Sequence, residues 1–108
     1  MQGIHLKFYV AENHKHHGLP VYEWLLERAR NLDVHGGSAF RAMAGFGRHR
    51  TIHEDHFFEL AGSLPVEVGF VVTADEAQSL LALIEAEGLS LFYVKLPVEF
   101  GVTGAHME

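Results

Sequence analysis

The chain has 108 residues, 48% of them hydrophobic, with no cysteine and a formal charge of -6 when its 9 histidines are neutral. That length and apolar content predict one packed domain over residues 1–108 and exclude intrinsic disorder. The acidic balance disfavours nucleic acid and anionic membrane as partners, since both need a positive field. The missing cysteines rule out a disulfide framework and thiolate chemistry, which fits a cytoplasmic protein.

Met1-Gln2-Gly3-Ile4 opens directly into a strand pattern, without a basic region, an apolar targeting segment or a small-residue cleavage site. The longest apolar runs are far shorter than a bilayer span, so no membrane insertion is expected. Ile4, Leu6, Phe8 and Val10 alternate with His5, Lys7 and Tyr9, the two-residue repeat of a half-buried first strand. Residues 11–18 read as a polar loop carrying His14, His16 and His17. Pro20 suits the first turn of a helix, and Val21, Leu25, Ala29 and Leu32 recur at helical spacing toward a stop at Gly36-Gly37. A second strand is predicted over residues 38–44, where the alternation lacks a clean contrast in polarity. Val66, Val68, Phe70 and Val72 define a third strand. Thr73-Ala74-Asp75-Glu76 reads as a capping box, followed by the apolar stripe Ala77, Leu80, Leu81 and Ile84 and a stop at Gly88. Residues 91–98 form the last strand.

Strand, helix, strand, strand, helix, strand is the α+β, ferredoxin-like βαββαβ order, with an antiparallel sheet and both helices on one face. The other face is then uncovered. Tyr9, Met43, Val71, Leu91 and Tyr93 are expected there, an apolar patch that predicts oligomerisation through the sheet.

Between the second and third strands lies a connection of about sixteen residues, against a usual four to six, and loops of that length are commonly functional. It starts at Gly45-Phe46-Gly47, where glycine suggests positive φ or a close approach to a ligand. It continues through Arg48, His49, Arg50, His53, Glu54, Asp55, His56 and Glu59.

Gly45-Phe46-Gly47, Ile52-His53 and Leu64-Pro65-Val66, with His17-Gly18 and Pro20-Val21-Tyr22-Glu23 upstream, resemble the PII-like family called domain of unknown function 190. The resemblance implies a homotrimer of ferredoxin-like subunits that acts as a non-enzymatic signalling regulator of a protein partner. It makes the long loop the regulatory loop, with a small effector, in PII relatives often an adenine nucleotide, bound between subunits at the loop base. Arg41, Gly45, Phe46, Gly47, Arg48, Arg50 and His53 are the candidate ligand-binding residues, since arginine forks and backbone amides suit phosphate. The chain departs from PII proteins at a second basic loop. Glu87-Gly88-Leu89-Ser90 and Glu99-Phe100-Gly101 stand there, with Lys95 the cation nearby, so half of the phosphate site is missing.

A second reading is a divalent-metal-binding trimer, similar to the ion-tolerance relatives of the superfamily. His14, His16 and His17 cluster in sequence, and Thr51-Ile52-His53-Glu54 could start a helix that gathers His49, His53 and His56. His53-Glu54-Asp55-His56 fails the metalloprotease spacing, and no nucleophile elbow, P-loop or dinucleotide fingerprint occurs, so no catalytic residue is assigned.

Overall fold

Strand β1 (Gln2–Ala11) shows why the sheet forms where it does: Leu6, Phe8 and Val10 are buried, while Tyr9 between them is exposed. The computed structural model describes residues 1–46, 53–54 and 64–104, with the backbone alone at 53–54. After β1 come β2 (Lys15–His16), β3 (Leu19–Pro20), α1 (Val21–Asn31), β4 (Gly37–Arg41), β5 (Ala44–Gly45), β6 (His53–Glu54), β7 (Pro65–Val72), α2 (Ala74–Ala86) and β8 (Phe92–Glu99). The main sheet has the order β4-β7-β1-β8, and all its neighbours are antiparallel. This is the predicted ferredoxin-like arrangement.

Register decides the faces. Leu6 lies opposite Phe70 and Phe8 opposite Val68, so one parity of both strands faces the helices. There it meets Val21, Trp24, Leu25 and Ala29 of α1 and Ala77, Leu80 and Ile84 of α2. Phe8 and Phe70 pack edge to face at 6.3 Å and 71°, a favoured aromatic geometry.

The helix ends follow from local chemistry. The predicted capping box is present: Thr73 Oγ1 accepts from the Glu76 amide at 3.1 Å and Glu76 Oε1 from the Thr73 amide at 2.9 Å. At the other end of α2, Gly88 takes φ 75°, and the amides of Gly88 and Leu89 donate to the carbonyls of Glu85 and Ile84. That is a Schellman stop, with glycine where left-handed backbone is needed.

Three sequence expectations need correction here. Pro20 is not in the first turn of α1 but precedes it, extended at ψ 136° and paired with Lys15 in a short hairpin within the expected loop. The His14 carbonyl takes the Val21 amide at 2.8 Å, so the hairpin caps the helix. Helix α1 also ends well before Gly36-Gly37. Asp33 adopts φ 63°, and the amides of Asp33 and Val34 close a second Schellman stop on Arg30 and Ala29.

The third correction concerns the open face. Tyr9 pairs with Phe92 and Phe8 with Tyr93, which turns Phe92, Val94 and Leu96 outward and Tyr93 toward the helices. Tyr93 packs on Phe8 at 6.2 Å, and Leu91 lines a cleft with Phe8, Leu81 and Ile84. The expected assignment of Leu91 and Tyr93 to the open side is therefore reversed. Phe40, opposite Glu67, joins the open face from β4, and Met43 lies exposed beyond the end of that strand.

Gly37 is a close approach rather than a turn, since a Cβ there would collide with Cε1 of buried Phe70. Overpacking of this kind costs about 1–3 kcal/mol. We expect Gly37→Ala to lower unfolding stability by that amount in urea denaturation. Unchanged stability would show that the Phe70 ring yields freely.

Candidate functional site

The base of the long loop is built where β4, β7 and the end of β1 converge. The Ala42 amide donates to the Pro65 carbonyl at 2.8 Å, and the Glu12 amide donates to the Leu64 carbonyl at 2.8 Å. Beyond Ala42 the chain bends and re-forms a ladder, Ala44 opposite Glu54 and Gly45 opposite His53. This ladder replaces the last part of the strand expected over 38–44.

Of the predicted ligand residues, Arg41, Gly45 and Phe46 come together at this base, and the His53 backbone pairs with Gly45. Gly47, Arg48 and Arg50, and the alternative metal ligands His49 and His56, lie outside the described residues. Gly45 does not take the left-handed φ expected of it, and a Cβ there would meet Pro65 Cγ at an ordinary 3.4 Å. Its role is thus to sit in the ladder rather than to make a turn. Residues 53–54 are extended, so they do not continue the helix suggested from Thr51. Phe46 projects into solvent.

Among the described residues, Arg41 is the cation of this base. Its Nε lies 3.5 Å from Oε1 of Glu12, and both side chains are partly exposed. An ion pair of this exposure contributes about 0–1 kcal/mol.

A second polar assembly forms elsewhere. Nε2 of His16 lies 2.7 Å from Oε1 of Glu87, and Nε2 of His17 lies 3.5 Å from the same oxygen. The hydrogen bond from His16 is the main influence holding the Glu87 carboxyl below its ordinary value, and it outweighs the opposing effect of desolvation. The His16 ring stands edge-on to Trp24 at 5.1 Å, and the buried Trp24 Nε1 has no hydrogen-bond partner among the described residues. Sequence spacing pointed to His16 and His17 but missed Glu87, which no short-range pattern links to them. A separate cleft of about 360 Å³, lined by Leu26, Arg30, Val34, His35 and Phe70 among others, contains none of the predicted ligand residues that are described.

The third feature is the open sheet face. Phe40 is 64% exposed, Phe92 57% and Val71 41%, with Leu96 and Tyr9 beside them. No helix of the described residues is long and apolar enough to cross a membrane.

Strand order, helix placement and the length of the β4–β7 connection define a PII-like fold. The chain superposes on CPII, a nitrogen regulatory PII-like protein from Thiomonas intermedia K12 solved bound to ADP, AMP and bicarbonate. The TM-score is 0.63 at 17% identity, over 94% of this chain and 96% of that one. A putative PII-like signaling protein from Thermus thermophilus gives 0.61 at 13% identity, over 91% of this chain and 88% of that one. The sequence matches the model of DUF190, described as "Uncharacterized ACR", over residues 3–89, and the chain belongs to that family. A UPF0166 protein of Aquifex aeolicus (strain VF5) is 35% identical over 80 residues, which is 74% of this chain and 73% of that one.

On the open face, partial burial, the hydrogen bond donated to Glu67 and that carboxylate's charge raise the Tyr9 phenol above its ordinary 10.0. A raised folded value contributes stability that is fully present below the unfolded value of about 10 and is lost as pH climbs through the folded one. We expect the absorbance difference between wild type and Tyr9→Phe to show Tyr9 ionising above a free phenol, and Glu67→Gln to bring it down. Ionisation at or below the free value would contradict the assignment.

Proposed function

We propose that the chain is a non-enzymatic PII-like regulator. It assembles as a homotrimer through its open sheet face and binds a small anionic effector, an adenine nucleotide, between subunits at the base of the β4–β7 loop. The observation that carries this reading is the uncovered apolar face of Phe40, Val71, Phe92 and Leu96, next to a loop base whose cation is Arg41. Contiguous exposed apolar area of this kind marks an interaction surface. The nucleotide-bound state of the Thiomonas neighbour supports the effector class. Effector binding acts by shifting the population of loop conformers, which a protein partner then reads. A cysteine-free chain suits the reducing cytoplasm as its place of work.

The charges favour few phosphates. The α2–β8 connection supplies Glu87 instead of a cation, and that carboxylate is engaged by His16. AMP, cyclic AMP or ADP fits better than ATP.

Light scattering on the eluted protein should give three chain masses. Val71→Glu with Phe92→Glu should give one, with the helical circular dichroism retained. Calorimetric titration, with and without bicarbonate, should show AMP, cyclic AMP or ADP binding more tightly than ATP, and Arg41→Ala weakening it at least several-fold. A wild-type monomer at micromolar concentration, or no heat with any of the four nucleotides, would sink the corresponding half of the proposal.

A further inference from the structure

We propose that His16, His17 and Glu87 form a binding site for a divalent cation of the zinc class, built between the β2–β3 hairpin and the C-terminal end of α2. Each residue offers one ligand atom, and these atoms lie within 4.8 Å of one another. Two imidazole nitrogens and a carboxylate oxygen are a donor set that suits zinc, with a fourth position left for water or a small anion.

The two distances to Glu87 are close to what coordination needs. Bonds of about 2.0–2.2 Å in a tetrahedron place ligand atoms about 3.3 Å apart. The His17–Glu87 separation of 3.5 Å already fits. The His16–Glu87 separation is 2.7 Å and has to open by about half an ångström, a small rotation of a carboxylate. Binding takes the neutral imidazole of His16 in the tautomer that carries its N–H on Nδ1, which leaves the Nε2 lone pair to the cation.

The ligands are held by structure independent of the cation. His16 is paired with Leu19 in the hairpin, and its ring, 14% exposed, is wedged edge-on against buried Trp24. Glu87 is the C-cap of α2, and the Schellman bonds that follow it fix its position. His17 carries the clearest signal. It holds φ 53°, in the left-handed region that non-glycine residues seldom occupy and that clusters at functional positions.

That backbone brings a side chain 77% exposed to the same carboxylate oxygen as His16, with the two rings 4.1 Å apart. A simple His16–Glu87 hydrogen bond accounts for one imidazole. The convergence of the second is what a shared cation explains.

The test is calorimetric titration of tag-free protein with zinc chloride, with cobalt(II) as a spectroscopic stand-in. One zinc per chain should bind, and cobalt should give the intense visible bands of a four-coordinate site. Glu87→Gln, which preserves shape, should abolish those bands. It should also weaken zinc by more than the 10–100-fold typical of losing a partner that only supports a ligand. His16→Gln should do the same, while the triple variant His49→Gln, His53→Gln, His56→Gln should leave the event intact. Circular dichroism confirms that each variant folds. Zinc affinity unchanged in Glu87→Gln, loss of the event in the loop triple variant, or no stoichiometric binding by wild type would each overturn the proposal.

Discussion

The antiparallel register of β1 on β7 is the constraint on which the rest of the molecule depends. Because side chains alternate with a period of two, a slip of one residue would move every core side chain to the opposite face. The register observed places Ile4 opposite Val72, Leu6 opposite Phe70, Phe8 opposite Val68 and Val10 opposite Val66. These residues make the floor on which both helices sit. The same register sends His5, Lys7, Tyr9, Glu67 and Val71 outward, and the pairing of β8 adds Phe92, Val94 and Leu96. One choice of register thus creates both the core and the surface proposed to join subunits.

Edges of the sheet carry this constraint to the loop base. Gly37 has no side chain, which lets β4 pass over the Phe70 ring, and β4 then runs along β7 to Arg41 opposite Val66. The Ala42–Pro65 bond closes that strand pair, and the long connection leaves from a fixed point. The regulatory role proposed for this loop needs such a rooted base, since only then would a ligand at the base bias its conformers.

Much of the fold was legible because its signals are local. The Thr73–Glu76 box and the Gly88 stop involve residues within a turn of each other, and the parity of residues 66–72 is a contrast written in consecutive positions. The misreadings have physical causes of another kind. Leu91-Phe92-Tyr93-Val94 is apolar on both parities, so only its pairing with Tyr9 and Phe8 decides which side chains face out. Asp33 ends α1 by entering a left-handed conformation that the sequence does not advertise, because burial of Val34 rewards it. Pro20 restricts its own φ equally well in a helix and in a hairpin, and the pairing with Lys15 selects the second. At the candidate sites, Arg41 and Gly45 were found by their nearness to the glycine motif. Glu87 was invisible as a partner because its meeting with His16 is made by topology alone, across 71 positions of sequence.

The segment that follows β1 links the two polar sites. Glu12 faces Arg41 at the loop base, while His16 and His17, a few residues on, face Glu87 at the end of α2. Its backbone is tied to the residue before β7 by Glu12, to β1 by His14 and to α1 through the His14 carbonyl. Coupling between two ligands requires a shared element whose position both of them bias. A floppy linker would absorb a displacement at one end. A segment hydrogen-bonded at several points is such an element, because His16 and His17 at one end contact Glu87, and Glu12 at the other contacts Arg41, so the cation and the anion proposed above would bias the same piece of chain through these contacts.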